Sequence, residues 1–411
     1  MGVVSCGTTM LDQGVFENIG SVTWDTTAKT AGFTAVSGNG YFVNTTSGAI
    51  TVTLPATPSA GDIVGIKDYA NTADTNAITI GRNSSNIQGV ASDFIINTEG
   101  GSVFLVYVDA TKGWLVTNSA KTADITTRFV AATGGCITTC GDYKIHTFTG
   151  PGTFTVTCAG TPGGSSTVDY LGVAGGGGAG GGEPGNNAVA GGAGAGGLRL
   201  INNVPVTVTG YPIVIGGGGA GAANSPNPGT SGTPGVNSSG FGYTSAGGGG
   251  GARKATAGLS GGSGGGAGED TQPGSPTPAS GGAGNTPPVS PPQGNPGGIG
   301  LGNQGGGGGG ANASGSNAGP GSGAAGGAGL DVTPTFGPGL PNSGVYAGGG
   351  GGGGIPAGGA GGTGGGGAGS PYPGSGTSGT TNTGGGGGGA SGSGTGGSGG
   401  SGIVIIKYKY Q

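Results

Sequence analysis

Two patterns of apolar spacing divide this chain. Between about residues 33 and 117, short runs alternate apolar and polar positions with a period of two. Residues 33–43 alternate loosely, and residues 49–54 (Ala-Ile-Thr-Val-Thr-Leu) do so cleanly before Pro55 ends the run. Further runs occupy 62–68, 77–80, 93–96 and 102–107, and residues 113–117 lie across an Asp109-Ala110-Thr111-Lys112 turn from the last of these. Period-two runs bounded by turn residues are strands with one buried face. Seven or eight such strands, with turn signals every 8–12 residues, predict a sandwich or small barrel. About 90 residues of β structure can bury a core unaided.

Beyond residue 141 the alternation thins and glycine takes over. Residues 144–157 predict a hairpin about Gly150-Pro151-Gly152, and residues 168–174 (Val-Asp-Tyr-Leu-Gly-Val-Ala) run straight into a glycine block. Blocks follow at 175–182, 191–197, 216–221, 247–251, 261–268, 305–310, 348–354, 358–369 and 384–402. A second hairpin is expected from 198–201, 204–209 and 212–215. The chain closes on 403–408 (Ile-Val-Ile-Ile-Lys-Tyr), its strongest β signal. That closing run is expected to pair with 168–174, because each needs a ladder partner in a region otherwise short of strand formers.

Composition sharpens the second half. Of 411 residues 117 are Gly and 25 Pro, and 17 of the glycines precede residue 141. Runs of six to eight glycines neither hold a helix nor offer side chains for a sheet to pack. A polyproline-II-type helix suits them, with three residues per turn and about 3.1 Å rise. Such a helix has no internal hydrogen bonds, so buried copies must bond to one another. Nine blocks joined by reversing loops therefore predict a bundle whose core is a backbone lattice. Ala179, Ala193, Ser263 and Ala360 should face outward or fill gaps in it. The competing reading is a set of flexible linkers.

Charge and chemistry exclude more than they add. Only 7% of residues are charged and the net charge is −4, with no basic patch for nucleic acid. No apolar run approaches the roughly 20 residues that span a bilayer. Cys136, Cys140 and Cys158 lack a fourth ligand at zinc spacing, so neither metal nor cofactor is expected. Free thiols or one disulfide are expected in that stretch. The single His146 lies within a strand pattern. Glu269-Asp270 are adjacent in a Pro/Ser loop, unlike the separated carboxylates of a glycosidase cleft. No catalytic residue is assigned, and the chain is not expected to be an enzyme.

Two sets of motifs resemble known modules. Residues 50–55, 61–68, 77–80 and 106–114 are similar, in order, to a module of bacteriophage and prophage tail-fibre proteins. Phe148-Thr-Gly-Pro-Gly-Thr-Phe-Thr-Val156, residues 168–178 and Ser401-Gly-Ile-Val-Ile-Ile-Lys-Tyr408 resemble the opening, middle and end of the glycine-rich domain of phage tail-fibre and adhesin proteins. The long Pro- and Ser-rich inserts across 222–383 depart from that pattern.

The combined expectation is an all-β chain: a β-sandwich-like module followed by a glycine-rich domain of strands and polyproline-II-type (polyglycine) helices. Residues 1–30 form a virion-attachment arm or an edge strand, 31–120 the sandwich module, 121–145 a neck or linker, and 146–411 the glycine-rich domain. The resemblance implies a virion protein assembled in the host cytoplasm, a homotrimeric tail fibre or receptor-binding adhesin. Its N-terminal part would meet other tail or baseplate proteins. Its loops would meet a host surface glycan or outer-membrane protein, without membrane insertion. The alternative is a purely structural decoration fibre or a glycine-rich extracellular filament. Tyr243, Phe336, Tyr346 and Tyr372 lie between glycine blocks and are the receptor-contact candidates, since Tyr offers contact area at low entropic cost.

Overall fold

The computed structural model describes residues 22–117, 128–160, 164–184, 188–225, 229–269 and 279–411, with four two-residue strands among residues 4–16. The fold is all-β. The chain divides into two compact units, Met1–Arg128 with Thr161–Gly164, and Phe129–Gly160 with Ser165–Gln411.

In the first unit, Thr23–Lys29, Asn39–Val43 and Ile63–Asp68 lie parallel in one sheet. Phe33–Thr34, Ile50–Thr53 and Ile78–Gly81 lie parallel in a second. The chain thus visits the two sheets alternately, as three successive coils. Phe94–Ile96 finishes one sheet and the hairpin of Ser102–Asp109 with Gly113–Val116 finishes the other, all antiparallel. Alternating residues from both sheets (Val52, Leu54, Val64, Ile66, Ile78, Ile80, Leu105 and Trp114 among them) form one fully buried core. The sandwich expected from the spacing is present as two layers sharing a core, with parallel coils in its first part. Of the arm-or-edge alternatives for 1–30, Thr23–Lys29 is an edge strand; the side chains of residues 1–21 lie outside the described residues.

The second unit rests on two sheets. Val130–Thr133, Gly152–Ala159 and Gly210–Ile213 make a three-stranded one. Cys136–Cys140, Tyr143–Phe148, Ile403–Lys409, Thr167–Val173 and Leu198–Pro205 make a five-stranded one, in that spatial order. The supposed neck therefore supplies strands to this unit, apart from 121–127, which lie outside the described residues. Neither expected hairpin forms. The Gly150-Pro151-Gly152 turn carries the chain from one sheet to the other, so Tyr143–Phe148 and Gly152–Ala159 take different partners. Leu198–Pro205 pairs with Thr167–Val173, while Gly210–Ile213 pairs with Gly152–Ala159. Pairing of the closing strand with Thr167–Val173 is as expected, with Leu171 opposite Ile405 and Val173 opposite Ile403.

Above the sheets the glycine blocks bond as a lattice with a three-residue period. Ala174, Gly177 and Gly180 donate to the carbonyls of Gly197, Gly194 and Gly191; Gly175, Gly178 and Gly181 to Val236, Thr233 and Thr230; Gly176, Ala179 and Gly182 to Gly400, Gly397 and Gly394. Every third N–H pointing to the same neighbour is the pitch of a polyproline-II-type helix. The next segment is bonded to six others. It donates to 384–390, 246–252 and 306–309, and accepts from Gly177, Gly266 and Gly350 among others. Segments between the predicted blocks, including 230–236, 295–298, 313–316 and 324–327, belong to the same lattice.

Side chains are excluded because backbones touch. A β-carbon at Gly176 would stand 2.1 Å from the Gly385 carbonyl oxygen, and one at Gly350 1.9 Å from that of Gly387. Ala179, Ala193 and Ser263 are fully buried and fill gaps, whereas Ala360 is exposed.

Candidate functional site

The lattice bonds give each segment a direction and so define two ends of the second unit. Residues 174–182 run away from the five-stranded sheet, and 191–197 run back antiparallel to enter its strand Leu198–Pro205. Following the same bonds along the chain places residues 183–184 and the turns near 253–256, 301–304, 319–322, 354–357, 370–374 and 391–394 at the far end. The segments 237–245, 285–293 and 330–346 return to the sheet end.

This division sorts the four aromatic candidates. Tyr372 sits in a far-end turn and is 40% exposed. Gly392, at φ 61°, passes beneath its ring, where a β-carbon would come within 2.6 Å of Cε2. Tyr243 lies at the sheet end on Tyr243–Ser245, half-buried, with its ring stacked 6.0 Å from Tyr170 and the Arg199 guanidinium 5.8 Å above it.

Phe336 and Tyr346 are fully buried, in one cluster with Ile145, Leu171, Val173, Ile403 and Ile405. Their segment was expected to be a surface loop. Instead it folds back, because Asp331 accepts the Thr333 N–H at 2.8 Å and its hydroxyl at 2.7 Å, starting the short helix Thr333–Phe336. These bonds hold the Asp331 carboxyl below its ordinary pKa. Tyr346 donates its hydroxyl to the Pro341 carbonyl at 2.6 Å, and burial raises its pKa. Buried side chains present no surface to a partner, so Phe336 and Tyr346 are core residues.

Five of the far-end turns, 301–304, 319–322, 354–357, 370–374 and 391–394, are joined into a row. Isolated β-bridges link Ser322 to Ala357, Gly354 to both Gln304 and Pro371, and Ser391 to both Gly374 and Val189. Buried polar side chains pin the same turns. The Gln304 amide accepts from the Ile355 N–H at 3.3 Å and donates to the Ile355 carbonyl. Ser370 Oγ donates to Gly374 O at 2.7 Å, Ser391 Oγ donates to Ser370 O at 3.0 Å, and Glu183 accepts the Gly229 N–H at 3.0 Å. On this frame Leu301, Pro320, Pro356, Pro371, Tyr372 and Pro373 are exposed. The pinning residues were missed by sequence reasoning. Their signal is a single polar residue at the end of a glycine block: Glu183 after 180–182, Gln304 before 305–310, Ser370 after 364–369.

Elsewhere among the described residues no cluster of His, Cys, Asp or Glu could hold a metal ion. His146 is buried at the sheet end, beside Phe154 and Tyr408. A family model described as a glycine-rich domain matches residues 148–409, from the end of the strand Tyr143–Phe148 to the closing strand. No curated protein matches the sequence.

Proposed function

The chain belongs to the glycine-rich domain family, and from that premise we propose that it is a receptor-binding fibre protein of a tailed-phage virion. In this reading the lattice is a rigid scaffold and the row of far-end turns contacts a host glycan or outer-membrane protein. The first unit faces tail or baseplate proteins, the assembly is a homotrimer, and no catalysis is involved.

The observation that carries the reading is the linked, pinned row of turns. Each turn is held at both ends by lattice bonds and often by a buried polar side chain, so little conformational freedom remains to be lost on contact. Loops fixed on a scaffold tolerate sequence change and commonly carry recognition. Several copies on one particle would add avidity. The motif resemblance in both units supports the virion setting.

The test is adsorption. Labelled full-length chain should bind bacterial cells and compete with particles for adsorption, and exchanging residues 370–374 and 301–304 should change the strains bound. A chain that folds yet binds no cells would leave the structural-filament reading.

A further inference from the structure

Among the described residues the strand Cys136–Cys140 is an edge of the five-stranded sheet, bonded on one side only, to Tyr143–Phe148. Cys136, Ile137, Thr138 and Thr139 are exposed and Cys140 is half-buried. Natural edges are blunted by Lys, Pro, bulges or inward charges. This one has none of them, and its register against Tyr143–Phe148 runs unbroken over five pairs.

Its backbone parity follows from the neighbouring ladder. The Tyr410 N–H donates to Asp142 O at 2.9 Å, in register with the pairing of Lys144 to Tyr408 and His146 to Ile406. Antiparallel strands alternate between bonded and non-bonded pairs. Even-numbered residues of 142–148 therefore bond toward the closing strand, and Tyr143, Ile145 and Thr147 toward the edge strand. Their partners Cys140, Thr138 and Cys136 bond inward. The N–H and C=O groups of Ile137 and Thr139 face out.

We propose that this edge pairs with the same edge of a second copy, antiparallel about Thr138, and that Cys136 of each copy forms a disulfide with Cys140 of the other. In this register Ile137 lies opposite Thr139 of the second copy and the reverse, giving four backbone hydrogen bonds from the four outward groups on each side. Cys136 faces Cys140 across a non-bonded pair, where Cα atoms stand about 4.5 Å apart. A disulfide needs about 4.4–6.8 Å. Within one chain the same two residues lie four strand positions apart, about 13 Å, which no disulfide spans. Both thiols are free.

A five-residue pair is far smaller than the roughly 1,200 Å² that marks the lower end of a stable interface, so the covalent bond is what makes it lasting. Each disulfide forms as two thiols lose two protons and two electrons to a small-molecule disulfide. That reagent leaves as two thiols, by way of a mixed disulfide. Such bonds persist on virion and cell surfaces and not in a reducing cytosol. The contact joins chains in twos, so it makes a dimer of a single chain and links one trimer to the next.

The test uses the full-length chain carrying Cys6→Ser and Cys158→Ser, treated with oxidised glutathione. A band at twice the chain mass should appear on a non-reducing gel and vanish with dithiothreitol. Cys136→Ser and Cys140→Ser should each abolish it, and an equimolar mixture of the two variants should restore it. Ile137→Pro removes an outward N–H and no ladder bond, so it should slow crosslinking at least tenfold while thermal unfolding stays at the parent value. A band from either single variant alone, or none from the mixture, overturns the proposal.

Discussion

His146 and Tyr408 lie 262 positions apart in sequence and meet in the core of the second unit, with Nε2 3.1 Å from the phenol oxygen. His146 Nδ1 lies 2.7 Å from the Gly134 carbonyl oxygen, which can only accept, so Nδ1 carries the proton. Nε2 then accepts from the Tyr408 hydroxyl, whose oxygen in turn accepts the Ala132 N–H at 3.2 Å. The pair ties the closing strand to Val130–Thr133 and Tyr143–Phe148, the first and third strands of the unit.

This arrangement makes stability depend on pH. Burial lowers the His146 pKa, Lys144 adds to the effect, and the Gly134 bond opposes it. The unfolded chain titrates at the ordinary value of 6.5. Below that pH the unfolded state takes up a proton that the folded state refuses, so stability is complete above about 6.5 and falls as pH drops. Urea unfolding at pH 7, 6 and 5 should show this slope in the wild type and a shallower one in His146→Gln. Equal slopes would refute the assignment.

Tyr408→Phe tests the other half of the pair. It leaves Nε2 and the Ala132 N–H buried without the hydroxyl between them. Loss of such a bond destabilises by about 1–3 kcal/mol. Urea unfolding at pH 7 measures it, and a change below a few tenths of a kcal/mol would mean the hydroxyl is dispensable.

The closing strand has both faces buried. Val404, Ile406 and Tyr408 enter one apolar cluster, and Ile403 and Ile405 the other. Ile405→Ala should destabilise the second unit by about 2–5 kcal/mol, the range for truncating a buried Ile. Deleting residues 402–411 removes a central strand and should abolish the cooperative unfolding of this unit in calorimetry. An unchanged transition would contradict the observed pairing.

Part of this was legible in the sequence. The run 403–408 is conspicuous because its surroundings offer almost no other strand formers, so its partner could be inferred by elimination. The three-residue lattice was legible in kind, since only glycine permits backbones to approach from every side. The extra segments 230–236 and 295–298 were not, because Pro, Thr and Asn there read as loop. The misplaced segment 330–346 did carry a signal. Val332, Phe336 and Leu340 recur every four residues, and all three are buried. In the first unit, the expected sandwich or small barrel left strand direction open, because period-two alternation is the same in parallel and antiparallel sheets. What separates them is the absence of tight turns between partners, as in the 24 residues from Asn39 to Ile63 that parallel pairing requires.

Glycine positions in the lattice are not equivalent. Gly350 packs so that a β-carbon would overlap the Gly387 carbonyl, whereas Gly217 has nothing within 4 Å of that position. Gly350→Ala should therefore destabilise by at least about 1–3 kcal/mol through overpacking. Gly217→Ala should be neutral or stabilise by up to about 1 kcal/mol, because it restricts the unfolded chain. Thermal unfolding of the two variants gives the comparison. Equal effects would mean that the segments are not packed backbone to backbone.

Tyr372 and Tyr346 are the same residue type at opposite ends of the unit, which makes them a matched test of the proposed contact surface. Tyr372→Ala removes an exposed ring from a turn held by Ser370, Gly374 and Ser391, and surface changes of this kind move stability by about 0.5 kcal/mol or less. If the far-end turns meet the receptor, this variant should fold normally and bind cells at least fivefold more weakly. Tyr346→Ala empties a buried site and orphans the Pro341 carbonyl, so it should destabilise by about 3–5 kcal/mol, as large aromatic truncations do. Its binding, measured well below its melting temperature, should stay within twofold of wild type. Binding titrations on cells beside thermal unfolding separate the two effects. Loss of binding in folded Tyr346→Ala, with none in Tyr372→Ala, would move the contact surface away from the far-end turns.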